Sequence, residues 1–269
     1  MSITHRAVPT TVPNYEADGD RLFIRSAARA MQVLSAFHNA SGALSLSDIA
    51  READIDRSAA QRLVHTLVKL GYMRRSADDR GYLPGIRLLD HTLDLLRLDP
   101  VVQKATPVLL ELRRTIQERV DFSLYDDTRL IYALRMQSKR ETFYASLVGH
   151  SVPAYCTAGG RAVLAALPEA QVKDVLKRSV LQKHTGKTVI NPTTLMKLVR
   201  RASKDGYAVV VDEFVQGEVA VGVAVKSPDG APLGAIHVAG SLSEWTPEEF
   251  VGQASPLASE AALAISGSL

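Results

Sequence analysis

Ser58, Arg62, His65 and Lys69 fall at i, i+4, i+7 and i+11 in a stretch whose apolar residues, Ala60, Leu63, Val64 and Leu67, keep the opposite helical phase. A hydroxyl, a guanidinium, an imidazole and an ammonium on one helix face are hydrogen-bonding and charged groups suited to base edges and phosphate oxygens. Gln61 and Thr66 flank this stripe. From Arg57 to Ala77 the chain carries Arg57, Arg62, Lys69, Arg74 and Arg75 and no acidic residue. The net charge of +3 hides this local concentration of cations, which is what holding DNA phosphates requires. Taken alone, one such face is also what a solvated helix looks like. Its neighbours decide between the two.

Three helices and a wing position the stripe. Ala27, Ala30, Met31, Leu34 and Phe37 recur at amphipathic spacing and predict a first helix, broken over 39–43. Ser45-Leu46-Ser47-Asp48 has the form of a capping box and opens a short second helix with Leu46, Ile49, Ala50 and Ala53 on its apolar face. After a turn through Asp54, Asp56 caps the third helix, which carries the stripe to about Leu70. Tyr72 to Arg75 and Tyr82 to Pro84 flank a polar turn and read as a two-stranded wing. This order is that of a winged helix-turn-helix, whose third helix enters the major groove.

A second kind of chemistry is available on paper. Cys156 with His150 or His237 as base and Asp212 as orienting acid has the residue types of a thiol nucleophile. Nothing in the chain has the form of a nucleophile elbow, a phosphate loop or a His-x-x-x-His metal pair, so no catalytic residue, metal or cofactor is expected. Cys156 then reads as a small packed apolar residue. Asp212 and Glu213 read either as site residues or as solvated hairpin carboxylates, and His237, in an apolar strand, either as a core residue or as a ligand contact.

Between Ile86 and Leu98, leucine and isoleucine are too dense for a helix standing in water. Such a helix packs on its counterpart in a second subunit or on its own C-terminal domain, and Asp99-Pro100 ends it. Beyond it a mixed pattern predicts a helix near 107–120, strands at 122–125 and 130–134, helices at 160–167, 168–178 and 192–205, strands at 207–211, 219–225 and 233–239, and a last helix opened by Thr246-Pro247. The fold class is α+β. Residues 1–20 read as a tail, 21–85 as the winged helix-turn-helix, 86–100 as a linker helix for dimerisation and 101–269 as a sensor-like domain.

With 269 residues, 46% hydrophobic and 23% charged, the composition is that of a globular chain and excludes a fibrous or disordered one. One cysteine excludes an internal disulfide and a thiolate zinc cluster, which fits a reducing compartment. No apolar run approaches the roughly 20 residues of a membrane span, and no signal-peptide pattern opens the chain, so a cytoplasmic location without membrane is expected.

The stretches Arg25-Ser26-Ala27-Ala28-Arg29-Ala30-Met31-Gln32-Val33-Leu34, Leu46-Ser47-Asp48-Ile49-Ala50, Ser58-Ala59-Ala60-Gln61-Arg62-Leu63, Leu70-Gly71-Tyr72 and Gly81-Tyr82-Leu83-Pro84-Gly85 resemble the N-terminal domain of the IclR family. Gly149, Pro153, the run Ala158 to Ala165, Asp205-Gly206-Tyr207-Ala208, Asp212-Glu213, Gly217 and Val238-Ala239-Gly240 continue the resemblance in order. It implies a winged helix-turn-helix, a helical linker and a GAF-like effector-binding domain, in homodimers or dimers of dimers on near-palindromic double-stranded DNA. The DNA-facing set is then Arg25, Ser47, Arg57, Ser58, Ala59, Gln61, Arg62, Thr66, Lys69, Arg74 and Arg75, with Ser58 and Arg62 in the groove and Arg25, Lys69, Arg74 and Arg75 on phosphates. Asp54 stands where the family carries glycine, a left-handed position that Asp tolerates. Ala59 and Gln61 replace the commoner Thr and His.

The resemblance also places an effector pocket among Val152, Ala158, Gly159, Gly160, Asp212, Ala220, His237 and Ala239. Backbone amides at Ala158, Gly159 and Gly160 would open a helix and favour an anion. Ala220 and Ala239 would leave room for a mid-sized organic acid, aromatic acids included, with His237 bonding a distal hydroxyl or carbonyl. Two other readings stand beside this ligand-responsive regulator: a hydrolase using Cys156 with a fused DNA-binding domain, and an architectural DNA-binding protein without a ligand.

Overall fold

The computed structural model describes residues 20–138 and 148–269, so the expected tail lies outside the described residues except for Asp20. The chain divides into two compact units, Met1–Leu95 and Leu96–Leu269. In the first, α1 (Arg25–Ser35) runs into a 3-10 turn (Ala36–Asn39), followed by α2 (Leu46–Glu52), α3 (Arg57–Lys69), β1 (Met73–Arg75) and β2 (Tyr82–Pro84). Ser45 and Asp48 close the predicted capping box on α2, and the Asp56 side chain accepts the Ala59 amide at the start of α3. Asp54, between these helices, adopts φ +51°. Val33, Ile49, Val64, Leu67 and Met73 form the core.

Helix α4 (Leu88–Leu98) bears no buried residue. The next helix departs from expectation: α5 (Pro100–Ile116) begins at once, because Asp99 caps it and Pro100 fills a first-turn position where no amide is needed. Pro107 lies inside this helix, and β3 starts at Arg119 where the sequence pattern still predicted helix.

The second unit is built on a six-stranded sheet in the order β5-β4-β3-β8-β7-β6, antiparallel throughout. Its strands are β3 (Arg119–Asp126), β4 (Arg129–Met136), β5 (Ser151–Pro153), β6 (Ala208–Val211), β7 (Glu218–Lys226) and β8 (Pro232–Ser241). Strict alternation gives this sheet two different faces. Val120, Phe122, Val219, Val221, Val223, Ile236 and Val238 pack with α5 and α9 (Pro247–Ser266) into the main core. The other face carries Arg119, Asp121, Ser123, His237, Ala239, Glu218 and Ala220, aligned by register, and receives α6 (Ala158–Ala165). Helices α7 (Glu169–Arg178) and α8 (Pro192–Asp205) complete that side.

Candidate DNA-binding face and effector cavity

On α3, Arg57, Ser58, Gln61, Arg62, His65, Thr66 and Lys69 are all exposed, so the stripe expected from spacing is a continuous free surface. Arg25, Ser47, Arg74 and Arg75 are exposed as well. Ala59 is not: it is buried, so it takes no part in a base-facing set. The phase of the helix turns its methyl inward beside Ala60. Two groups already have local partners. The Thr66 hydroxyl donates to the Arg62 carbonyl at 2.9 Å, and Arg75 pairs with Asp79 at 2.9 Å while lying over the Tyr82 ring. Exposed pairs of this kind are weak and exchange readily for a phosphate.

In the second unit a small, partly open cavity lies between the polar sheet face, the start of α6 and the segment joining β6 to β7. Arg119, Tyr132, Ala158, Phe214, Glu218 and His237 are among its walls, with Ala220 and Ala239 on the floor. Four of the eight expected pocket residues thus meet: Ala158, Ala220, His237 and Ala239. Gly159 stands directly behind them, since a Cβ there would come within 2.2 Å of the His237 ring.

Val152, Gly160 and Asp212 are placed elsewhere. Val152 is buried in β5 opposite Leu130. Gly160 closes on the Ala154 backbone, and its amide is engaged by the Thr157 side chain at 3.3 Å. Asp212 bonds Lys187 at 2.8 Å and accepts the Gly217 amide, and these two donors hold its carboxyl below the usual range. The expected anion seat at the start of α6 is therefore filled by protein: Thr157 caps it, and the β7 backbone at Gly222 packs against Ala158 and the Gly159 nitrogen. Nor do Ala220 and Ala239 leave a spacious pocket. The cavity holds about 20 Å³, room for roughly one water. Phe214, Val215, Tyr132 and His237 fill the space that the small residues vacate.

What the sequence reading missed is the charge on the sheet face. Arg119 donates from Nε to Asp121 at 3.0 Å and from Nη1 to Glu218 at 2.8 Å. Arg135, on the neighbouring β4, faces Asp121 at 3.6 Å and lies 5.0 Å over the Tyr132 ring. Asp121 is 0% exposed, and burial raises its carboxyl despite the two guanidinium groups. Asp121 Oδ1 and Arg135 Nε have no hydrogen-bond partner among the described residues. His237 bonds Ser123 at 2.7 Å, and burial beside Arg119 and Arg135 pushes its imidazole down to about 3, so the ring is neutral. It is both a hydrogen-bonded interior residue and a cavity wall. The signal for Arg119 and Asp121 was present as the alternation Arg-Val-Asp-Phe-Ser over 119–123.

A wider groove of about 700 Å³ flanks the edge strand β6, and Glu213 borders both spaces. Glu213 is clamped by Arg161 through two bonds of 2.6 Å and accepts the Val189 amide at 3.0 Å. Cys156 is buried nearby, and burial pushes its thiol up to about 12, which removes the thiolate that a nucleophile needs.

Family models match both units: the IclR helix-turn-helix domain over residues 26–77 and the bacterial transcriptional regulator IclR C-terminal domain over 94–267. The Pca regulon regulatory protein of Pseudomonas putida is 29% identical over 233 residues, covering 86% of this chain and 79% of that protein. The crystal structure of the Thermotoga maritima IclR superposes with a TM-score of 0.68 at 27% identity, covering 92% of this chain and 99% of that one. An IclR homologue from Microbacterium hydrocarbonoxydans, complexed with 4-hydroxybenzoate, shares the fold at a TM-score of 0.71 and 22% identity, covering 90% of this chain and 98% of that one.

Proposed function

Since the chain belongs to the IclR family of bacterial transcriptional regulators, with a helix-turn-helix for DNA and a C-terminal domain for an effector, we propose that a small organic acid bound in the sheet-face cavity sets its operator affinity. The observation that carries this reading is the cavity itself, where a two-armed guanidinium meets a neutral imidazole, a tyrosine and three alanines. A buried cation beside small apolar walls recognises a carboxylate with a compact apolar body. Aromatic acids are the first to try, because Tyr132 and His237 already pack edge to face at 5.3 Å. Entry requires the cavity walls, Phe214 and Val215 among them, to move apart, since the cavity admits only about one water.

On the DNA side, Ser58 and Arg62 read base edges while Arg25, Lys69, Arg74 and Arg75 hold phosphates. Leu89 and Leu93, 65% and 62% exposed on α4, supply the apolar stripe of a homodimer, which presents two recognition helices to a near-palindromic operator. The hydrolase alternative is disfavoured, because Cys156 is buried and burial pushes its thiol up. Binding to chromosomal DNA places the protein in the cytoplasm.

The test is a fluorescence-anisotropy titration of the full chain on promoter DNA from its own locus, with and without a panel of aromatic and aliphatic carboxylates. One acid is expected to shift the operator Kd, with the same coupling seen in its own affinity when DNA is present. If only neutral or cationic compounds shift it, the acid reading fails.

A further inference from the structure

Among the described residues Arg119 is the only cation on the cavity wall, and both of its arms are taken. Its two carboxylate partners differ in how freely they can leave. Asp121 is 0% exposed, sits in the middle of the sheet between Arg119 and Arg135, and has no route to water. Glu218 is 18% exposed, is the first residue of β7, and itself lines the cavity. It also ends the short segment that lines the cavity with Phe214 and Val215. That segment is closed at its neck, where the Asp212 amide donates to the Glu218 carbonyl at 2.8 Å.

Resting on the reading that the cavity takes the effector, we propose that Glu218 is a built-in stand-in for the ligand's carboxylate: an acidic effector displaces it from Arg119, and its departure frees the segment from which Phe214 and Val215 line the cavity. The exchange swaps one carboxylate for another, so Arg119 is never left as an uncompensated buried charge, and Glu218 passes to water. Asp121 stays held from both sides by Arg119 and Arg135. A neutral ligand offers no group to trade, and a cation meets the Arg119 guanidinium. A single carboxylate matches the single place that Glu218 vacates, so monocarboxylates are the ligand class. Because the released residue begins β7, occupancy of the cavity is transmitted to the β6–β7 segment and, through Glu213, to Arg161 and the 185–189 stretch bonded to it.

The experiment is calorimetry on the full chain with benzoate, 4-hydroxybenzoate and benzamide, using wild type, Glu218→Gln and Gly159→Val, with thermal melts to confirm folding. Removing the internal competitor should tighten the monocarboxylate by about tenfold or more and leave benzamide unchanged, the gain expected when the binding-competent state is populated at about one part in ten. Added positive charge alone would also tighten an anion, so hydrogen–deuterium exchange of wild type separates the two. Ligand should increase uptake over 212–218, and protection there overturns the exchange. Should a folded Glu218→Gln bind no tighter while Gly159→Val abolishes binding, the exchange is wrong and the cavity reading stands. Wild-type affinity in Gly159→Val removes the cavity reading and the exchange with it. If no probe binds wild type, appearance of binding in Glu218→Gln supports the exchange, and silence in both overturns it.

Discussion

Arg161→Met isolates a buried, doubly bonded charge pair of the effector domain. The Arg161 and Glu213 side chains are 2% and 10% exposed, joined by two bonds of 2.6 Å, and Arg161 Nε also donates to the Tyr155 carbonyl at 2.9 Å. Removing the cation leaves Glu213 a buried carboxylate whose remaining donor is the Val189 amide. Breaking one side of such a pair costs about 3–5 kcal/mol, far above an exposed pair, because the surviving charge keeps its desolvation penalty. Glu213 borders the open groove, where water can reach it, which places the expectation near the lower end, about 3 kcal/mol. For a domain of this size that lowers Tm by roughly 6–12 °C. The assay is urea unfolding of the full chain followed by fluorescence of the single tryptophan, Trp245, which packs on Phe250 and donates to Glu118 in the same unit. Arg161→Met combined with Glu213→Leu should recover most of the loss, since an apolar pair of similar volume needs no compensation. A single-variant cost under about 1 kcal/mol, or a double variant less stable than the single, would refute the argument.

Three further outcomes follow from the same geometry. Arg62→Ala should cost about 1–3 kcal/mol on the operator and relax its base preference, whereas Lys69→Ala should weaken all sequences alike and reduce the slope of log K against log salt by about one, both read by anisotropy at several salt concentrations. His237 is neutral when folded, with its pKa pushed down to about 3, so the unfolded chain binds the extra proton. Its contribution is present above about pH 6.5 and is lost as pH falls toward 3, at about 1.4 kcal/mol per unit; urea midpoints at pH 7 and pH 5 should separate less in His237→Asn than in wild type. Leu89→Asp with Leu93→Asp should convert a dimer to a monomer by light scattering at micromolar concentration, and a wild-type monomer would remove the assembly reading.

The DNA-facing half was legible because everything it needs is local. A period of 3.6 residues, a Ser45–Asp48 box and an Asp56 cap fix which side of α3 is free, and these interactions span only three or four residues. Ala59 is the exception: the resemblance puts it at the DNA, and the phase of the helix buries it. The cavity depends on pairing between distant strands. Arg119, His237 and Glu218 meet only because β3 pairs β8 and β8 pairs β7 in one register, and a slip by one residue would turn every one of them into the apolar core. Tyr132 and Arg135 are the sharpest case. Three residues apart on one strand, they belong on opposite faces, yet both reach the polar face because a bulge at Phe122/Ser123 inserts Ala133 and resets the alternation. The sequence alone determined the α+β class and the free face of α3, since periodicity and capping are written in neighbouring residues, and its ordered motifs carried the resemblance to the family. Only the tertiary structure decided that the α6 amides are covered by Thr157 and Gly222 and that Arg119 stands on the wall of the sheet-face cavity, because register and close packing are properties of the paired strands and not of any one segment.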